Sequence, residues 1–282
     1  VLAVQAYGTL KLRHTGDLDL LVDPDNVWEA DRILQANGYL RTIPDYPLSP
    51  GQAAAYMKIR KDFSYTHPKT NIRVELHWRL CQNTYLFPLG LEQLWPTREF
   101  ISLGNTRVAA IPRQELLLYL CAHGAHTGWF RLKWLCDIAE LTGNDHRNDM
   151  LQVCARAEEL GVTRVLAQGL ILAHQLLDMP LPASLSTEIR PDRTVQSMVS
   201  LAIQALSNDE HYWSADNTPV SWMATQVLYR MKLRKDIRYK LHNFYFYTLW
   251  RDEVHTIHLP KLLSPLYFFL SLWFWFLSLF KR

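Results

Sequence analysis

Residues 72–78 (Ile-Arg-Val-Glu-Leu-His-Trp) alternate without a fault. Ile72, Val74, Leu76 and Trp78 fall on one face and Arg73, Glu75 and His77 on the other, the two-residue period of a half-buried strand. Asp62 to His67 alternates more weakly and pairs with it through the turn Pro68–Asn71, giving a hairpin. A further strand is expected just after the turn His14-Thr15-Gly16, where Leu18 and Leu20 share one face, Asp17 and Asp19 the other, and Leu21–Val22 run into the core. Val1 to Tyr7 is apolar and reads as a helix leading into Gly8. After Asp23-Pro24-Asp25, with Asp25 as N-cap, the stripe Val27, Ala30, Ile33 and Leu34 predicts a helix that Gly38 ends. Tyr39 to Ile43 reads as a short strand and Pro44 to Gly51, with three prolines, as a loop. Glu99 to Leu103 and Arg107 to Ile111 flank Gly104-Asn105 and form a second hairpin.

At Pro112 the period changes. From Gln114 onwards helical spacing predominates: Leu116 to Cys121, Trp129 to Leu141, Met150 to Leu160 ended by Gly161, and Val162 to Leu177 stopped by Pro180. Ser184 to Pro191 reads as a polar linker, and Thr194 to Leu206 and Val220 to Leu233 as further helices. The expected class is therefore α+β: a small mixed β-sheet domain over residues 1–112, followed by an all-helical domain over residues 113–282.

Composition narrows the picture only a little. A chain of 282 residues, half hydrophobic and a fifth charged, can bury a substantial core. A net charge of +3 is too small to argue for nucleic acid, and no specific nucleic-acid signal appears. The four cysteines, Cys81, Cys121, Cys136 and Cys154, form no C-x-x-C pair, so neither a zinc site nor a disulfide framework is indicated, and a cytoplasmic setting is the default. The C-terminal end adds one feature. Residues 230–240 hold six basic residues against one aspartate, and residues 262–280 carry no charge. As a helix those nineteen residues would reach nearly 30 Å, about one bilayer core. Pro265 and three serines count against spanning. The segment is expected to pack on the helical domain, with attachment of residues 230–282 to a membrane surface as the alternative.

Candidate chemistry gathers in the sheet domain. Two carboxylates on one strand face, Asp17 and Asp19, offer oxygen ligands suited to Mg²⁺. The triplet alone is equally what a solvated strand edge would show. Glu75 sharpens it: if strand 72–78 lies beside the first, a third carboxylate joins the pair, and three crowded acids need cations. Lys11 and Arg13 lie just upstream, where cations hold phosphate oxygens, and Gly8 and Gly16 let backbone approach a nucleotide. His77, next along the Glu75 face, reads as a phosphate or base contact, or as a histidine bonded at the sheet rim. His123 and His126, one turn apart, have no H-E-x-x-H pattern around them and read as buried or interfacial imidazoles. Asp137, one turn from Trp134, reads as an anchor for a loop or cap, or as a residue that orients substrate.

The segments Gly16 to Val22 (GDLDLLV) and Val74 to Trp78 (VELHW), with His123 to Leu141 behind them, resemble the uncharacterised nucleotidyltransferase family of the polymerase-beta-like superfamily. The resemblance spans about the first 145 residues. It implies that Asp17, Asp19 and Glu75 are the catalytic, metal-binding carboxylates, with two Mg²⁺ ions and an NTP as substrate. Gly8, Arg13, Gly16 and His77 would then serve the nucleotide. That family usually carries a Lys-Gly pair about ten residues before its arginine; here the chain opens at Val1, about where the pair would end, as expected of a fragment. The acceptor, a small molecule or a protein, is unspecified. Two other readings stand beside this one. D-x-D also serves glycosyltransferases, which place a nucleotide-binding α/β region ahead of it, whereas sixteen residues precede Asp17. A non-catalytic nucleotide-binding module that recruits partners, peripheral to a membrane, is the remaining reading.

Overall fold

A computed structural model describes residues 1–143, 147–181, 192–207, 220–249 and 273. The uncharged segment 262–280 and the linker 184–191 lie outside the described residues, Trp273 apart. Among the described residues no helix is long and apolar enough to cross a membrane.

The expected class holds: every described strand precedes Pro112, and helices follow it. Four strands, β1 (Leu18–Leu21), β2 (Leu40–Ile43), β3 (Asp62–Thr66) and β4 (Arg73–His77), form one sheet in the order β1-β4-β3-β2. β1 runs parallel to β4, and the other neighbours are antiparallel. β5 (Glu99–Leu103) and β6 (Thr106–Ala110) make a separate hairpin. Helix α1 (Leu2–Tyr7) ends at Gly8 in the left-handed region, φ 68°, where a side chain would be strained.

The alternation in β3 and β4 produces a sheet with two unlike faces. Phe63, Tyr65, Val74, Leu76 and Trp78 are buried with Val27 of α2 (Val27–Ala36), and Tyr56 and Met57 of α3 (Pro50–Ile59) pack against them. Into this apolar layer Tyr65 Oη donates to Asp31 Oδ1 at 2.7 Å, and Arg41 lies 3.7 Å from the same oxygen, so the buried carboxylate is compensated. Ser64, Glu75 and His77 belong to the opposite face.

Local departures from the sequence reading have local causes. Helix α3 was not anticipated in a proline-rich stretch. Ser49 and Gln52 close a reciprocal capping box there and Pro50 occupies the first turn, where its missing N–H costs nothing. Asp23, not Asp25, supplies the cap, accepting from the Asp25 amide at 2.9 Å at a short 3₁₀ turn ahead of α2. Leu18 and Leu20 are 50% and 45% exposed because β1 is the sheet's edge strand. The helix expected from Trp129 starts later. Beyond the short helix α4 (Leu91–Leu94), α5 (Arg113–Thr127) extends past Cys121. Gly128 and Trp129 both adopt positive φ, and α6 (Leu132–Gly143) begins beyond them, ahead of α7 (Arg147–Glu159).

The chain divides into two compact units, residues 1–120 with 137–153, and residues 121–136 with 154–282. In the second, Trp129 is fully buried against two helical glycines: Gly124 of α5 and Gly169 of α8 (Thr163–Leu177). Gln168 of α8 spends its amide on Met198 O at 2.8 Å and Tyr229 Oη at 3.1 Å. Of the six basic residues in 230–240, three are held by this unit. Arg230 donates to His126 O, Lys232 to Ser197 Oγ, and buried Arg234 lies over Gly161.

Gly124→Ala tests the Trp129 wedge. Alanine normally gains about 1 kcal/mol over glycine inside a helix. Here the added methyl would sit 2.3 Å from the Trp129 ring, which is fully buried and has nowhere to move. Overpacking of roughly 1–3 kcal/mol should win, so urea unfolding is expected to show net destabilisation. A stabilised variant would contradict the packing.

Candidate metal centre

The parallel ladder of β1 and β4 pairs Leu18 with Val74, Asp19 with Glu75, Leu20 with Leu76, and Leu21 with His77. Asp19 and Glu75 are thus neighbours on one face, and His77 follows two residues after Glu75 on the same side. All three converge: His77 Nε2 lies 3.1 Å from Asp19 Oδ1 and 3.2 Å from Glu75 Oε2. One ligand atom from each residue falls within 4.8 Å of the others. Their burial is graded. The side chain of His77 is 6% exposed, that of Glu75 32% and that of Asp19 67%, so the cluster is closed beneath and open above.

The start of β3 adds two charges that the sequence reading passed over, Asp62 and, just before the strand, Lys61. The Lys61 ammonium pairs with Asp62, lies 3.9 Å from Glu75 Oε2, and comes within 3.4 Å of His77 Nδ1. Asp62 Oδ2 is 3.8 Å from His77 Nδ1. The signal was available in the hairpin register, which sets Asp62 opposite His77. Lys61 shows no periodic signal and is found only in three dimensions.

The electrostatics follow from this crowding. Burial alone would push the His77 imidazole down, but its bonds to Asp19 and Glu75 outweigh it and raise its pKa to about 9. The same bond to His77, helped by Lys61 and opposed by burial, holds the Glu75 carboxyl below its ordinary range. Burial, with the Asp19, Glu75 and Asp62 carboxylates nearby, keeps the Tyr119 phenol protonated. Burial also pushes the Cys81 thiol up to about 12, which keeps it a neutral thiol.

The remaining sequence candidates fall as follows. Asp17 is half-buried one residue before β1 and stands outside the converging set of Asp19, Glu75 and His77. Gly16 is fixed to the sheet by Arg73, whose Nε donates to its carbonyl at 3.4 Å. Lys11, exposed in the same loop, has its amide on Thr9 Oγ1. Arg13 is engaged within the protein: Nε and Nη2 grip Asp137 Oδ1 and Oδ2 at 2.8 and 3.0 Å, and Nη1 reaches Thr15 Oγ1. Tyr7 Oη donates to the same Asp137 at 3.0 Å. Asp137, fully buried, is an anchor for the loop that leads into β1. His123 packs edge-on against Trp134 and His126 offers its carbonyl to Arg230; both are half-buried.

The donor set suits a divalent cation: two carboxylates and an imidazole with converging ligand atoms, a third carboxylate at Asp17 next to the strand, and an open side at Asp19. In comparisons with known proteins, a family model described as an uncharacterised nucleotidyltransferase matches residues 1–178, more than half of the chain. No curated protein and no solved structure matches it.

The Arg13–Asp137 bridge gives a direct test of the anchor. Removing one partner of a buried ion pair strands the other, so Asp137→Ala is expected to cost about 3 kcal/mol in urea unfolding. Adding Arg13→Leu should return part of that loss, because the orphaned cation goes with it. A double variant as unstable as the two single losses summed would overturn the pairing account.

Proposed function

The chain belongs to the uncharacterised nucleotidyltransferase family, and from that premise we propose that it transfers a nucleotidyl group from an NTP to an acceptor at the Asp19–Glu75 face of the sheet. The observation that carries this reading is the register of β1 on β4, which sets two carboxylates side by side in a site open to solvent. Asp17, Asp19 and Glu75 are the residues that would hold divalent cations, with Mg²⁺ the expected ion and two ions the expected number. When bound, such ions supply the charge that activates an attacking hydroxyl and steadies departing pyrophosphate.

The chain's own residues do the rest. β1 and β4 fix Asp19 and Glu75 by a ladder of backbone hydrogen bonds, so little reorganisation is needed at the moment of reaction. Arg13, clamped by Asp137, sets the path of the loop 8–16. Gly8 and Gly16 bound that loop; Gly8 has open space beside its Cα for a nucleotide to approach, and the Arg73 guanidinium lies next to Gly16. The exposed oxygens of Asp19 face the side from which a triphosphate would arrive.

Binding tests the shared site without knowledge of the acceptor. At about a hundredfold excess over its dissociation constant, Mg²⁺ should stabilise the wild type by roughly 2.7 kcal/mol, read as a thermal shift. Asp19→Asn and Glu75→Gln should lose most of that shift together with metal-dependent nucleotide binding, and Asp17→Asn should weaken both. The amide variants remain folded, because this face lies opposite the apolar layer. Wild-type responses in Asp19→Asn and Glu75→Gln would refute the reading. Incubation with labelled NTPs and a cell extract then identifies the acceptor.

A further inference from the structure

The role of His77 goes beyond neutralising two acids. The geometry points to His77 Nε2 as a direct ligand, with Asp19 and Glu75, of a first-row transition ion in place of one of the two Mg²⁺ ions. This inference deepens the nucleotidyl-transfer reading and rests on it for the purpose of the site, although the ligand set stands on its own distances.

Three observations carry it. The first is aim: Nε2 is within 3.1 and 3.2 Å of one oxygen on each carboxylate, separations shared by hydrogen-bonded atoms and by neighbouring ligands on one ion. The second is fixity. The imidazole is 6% exposed, is carried by the strand that carries Glu75, and has Leu21 as its ladder partner, so the ring does not have to swing in. The third is the far side of the ring. Metal-bound imidazoles usually present their other nitrogen to a carboxylate or carbonyl, which fixes the tautomer and the ring plane. Asp62 Oδ2 lies 3.8 Å from Nδ1, placed there by the β3–β4 register, with the Lys61 ammonium 3.4 Å from the same nitrogen. On metal binding the Nε2 proton leaves to solvent and Asp62 closes on Nδ1–H. Lys61 pairs with Asp62 and keeps that outer carboxylate in position.

The donor chemistry then selects the ion. Mg²⁺ takes oxygen ligands and gives up its water reluctantly, whereas Mn²⁺ and the later divalent ions of the row accept imidazole nitrogen beside carboxylate oxygen. A site made only of Asp17, Asp19 and Glu75 would not discriminate on this ground. One that includes Nε2 does, and the exposed side at Asp19 leaves coordination positions for substrate oxygens.

The test uses the full chain, stripped of metal by chelation, and Mn²⁺ as the probe. Pulsed electron paramagnetic resonance of bound Mn²⁺ should show coupling to one imidazole nitrogen. Histidine labelled with ¹⁵N should change that coupling, a result that needs no variant to fold. In His77→Gln the coupling should vanish and Mn²⁺ affinity should fall about 10- to 100-fold, while Mg²⁺ affinity changes far less. Bound Mn²⁺ without nitrogen coupling would overturn the inference. So would equal losses of Mn²⁺ and Mg²⁺ affinity in His77→Gln, since His77 would then only position the carboxylates. Nucleotide binding is measured separately. Nitrogen coupling in a chain that binds no nucleotide supports the ligand assignment and removes the nucleotidyl-transfer reading instead.

Discussion

The unit that holds the site depends on one unfavourable pairing, Asp19 beside Glu75 on adjacent parallel strands. Like charges directly across a ladder repel, and a strand pair chosen for stability alone would not put them there. The structure tolerates the pair because two cations are built into the same face. His77 bridges both carboxylates, and Lys61 stands beside Glu75 and Asp62. Three acids and two bases leave the cluster close to balanced, which keeps Glu75 ionised despite its burial. A cation arriving at this site meets carboxylates that are already charged and held in place by hydrogen-bonded backbone, and it takes the place of the proton that His77 holds between them.

The opposite face of the same strands makes that arrangement affordable. Phe63, Tyr65, Val74, Leu76 and Trp78 are all buried, and Trp78 and Phe63 meet edge-on at 4.9 Å. Strand period couples the two faces: a one-residue slip of β4 would expose Val74 and Leu76 and bury Glu75. The apolar layer thus enforces the register on which the acidic cluster depends. Stability and chemistry are assigned to alternate residues of one five-residue strand.

This coupling explains what was legible in the sequence. The unbroken alternation of residues 72–78 revealed β4 and both its faces. It brought Glu75 to the Asp17–Asp19 pair on the condition that the two strands are neighbours; the register that sets Asp19 beside Glu75 comes from the fold. The change of period at Pro112 likewise marked where the described strands end. Features without a period were missed. Helix α3 is announced by Ser49, Pro50 and Gln52, a capping signal in a stretch rich in proline. Asp62 opens the weakly alternating strand and Lys61 precedes it, and their importance comes from the partner strand. Asp137 is 124 residues from Arg13, and no local pattern encodes a contact of that span.

The Arg13–Asp137 pair bears on how the loop before β1 is used. Arginine ahead of an acidic strand suggests a phosphate clamp, yet this guanidinium already makes a two-pronged bond to a fully buried carboxylate and a third contact to Thr15. Releasing it toward a ligand would strand Asp137 in the interior, a cost of several kcal/mol that a single phosphate contact does not offset. Arg13 is therefore suited to position its loop rather than to contact a ligand. Lys11 is an exposed basic side chain in that loop, and among the described residues it has no acidic partner. The division follows from burial: the enclosed cation holds the chain in place, and the exposed one remains open to solvent and to whatever binds there.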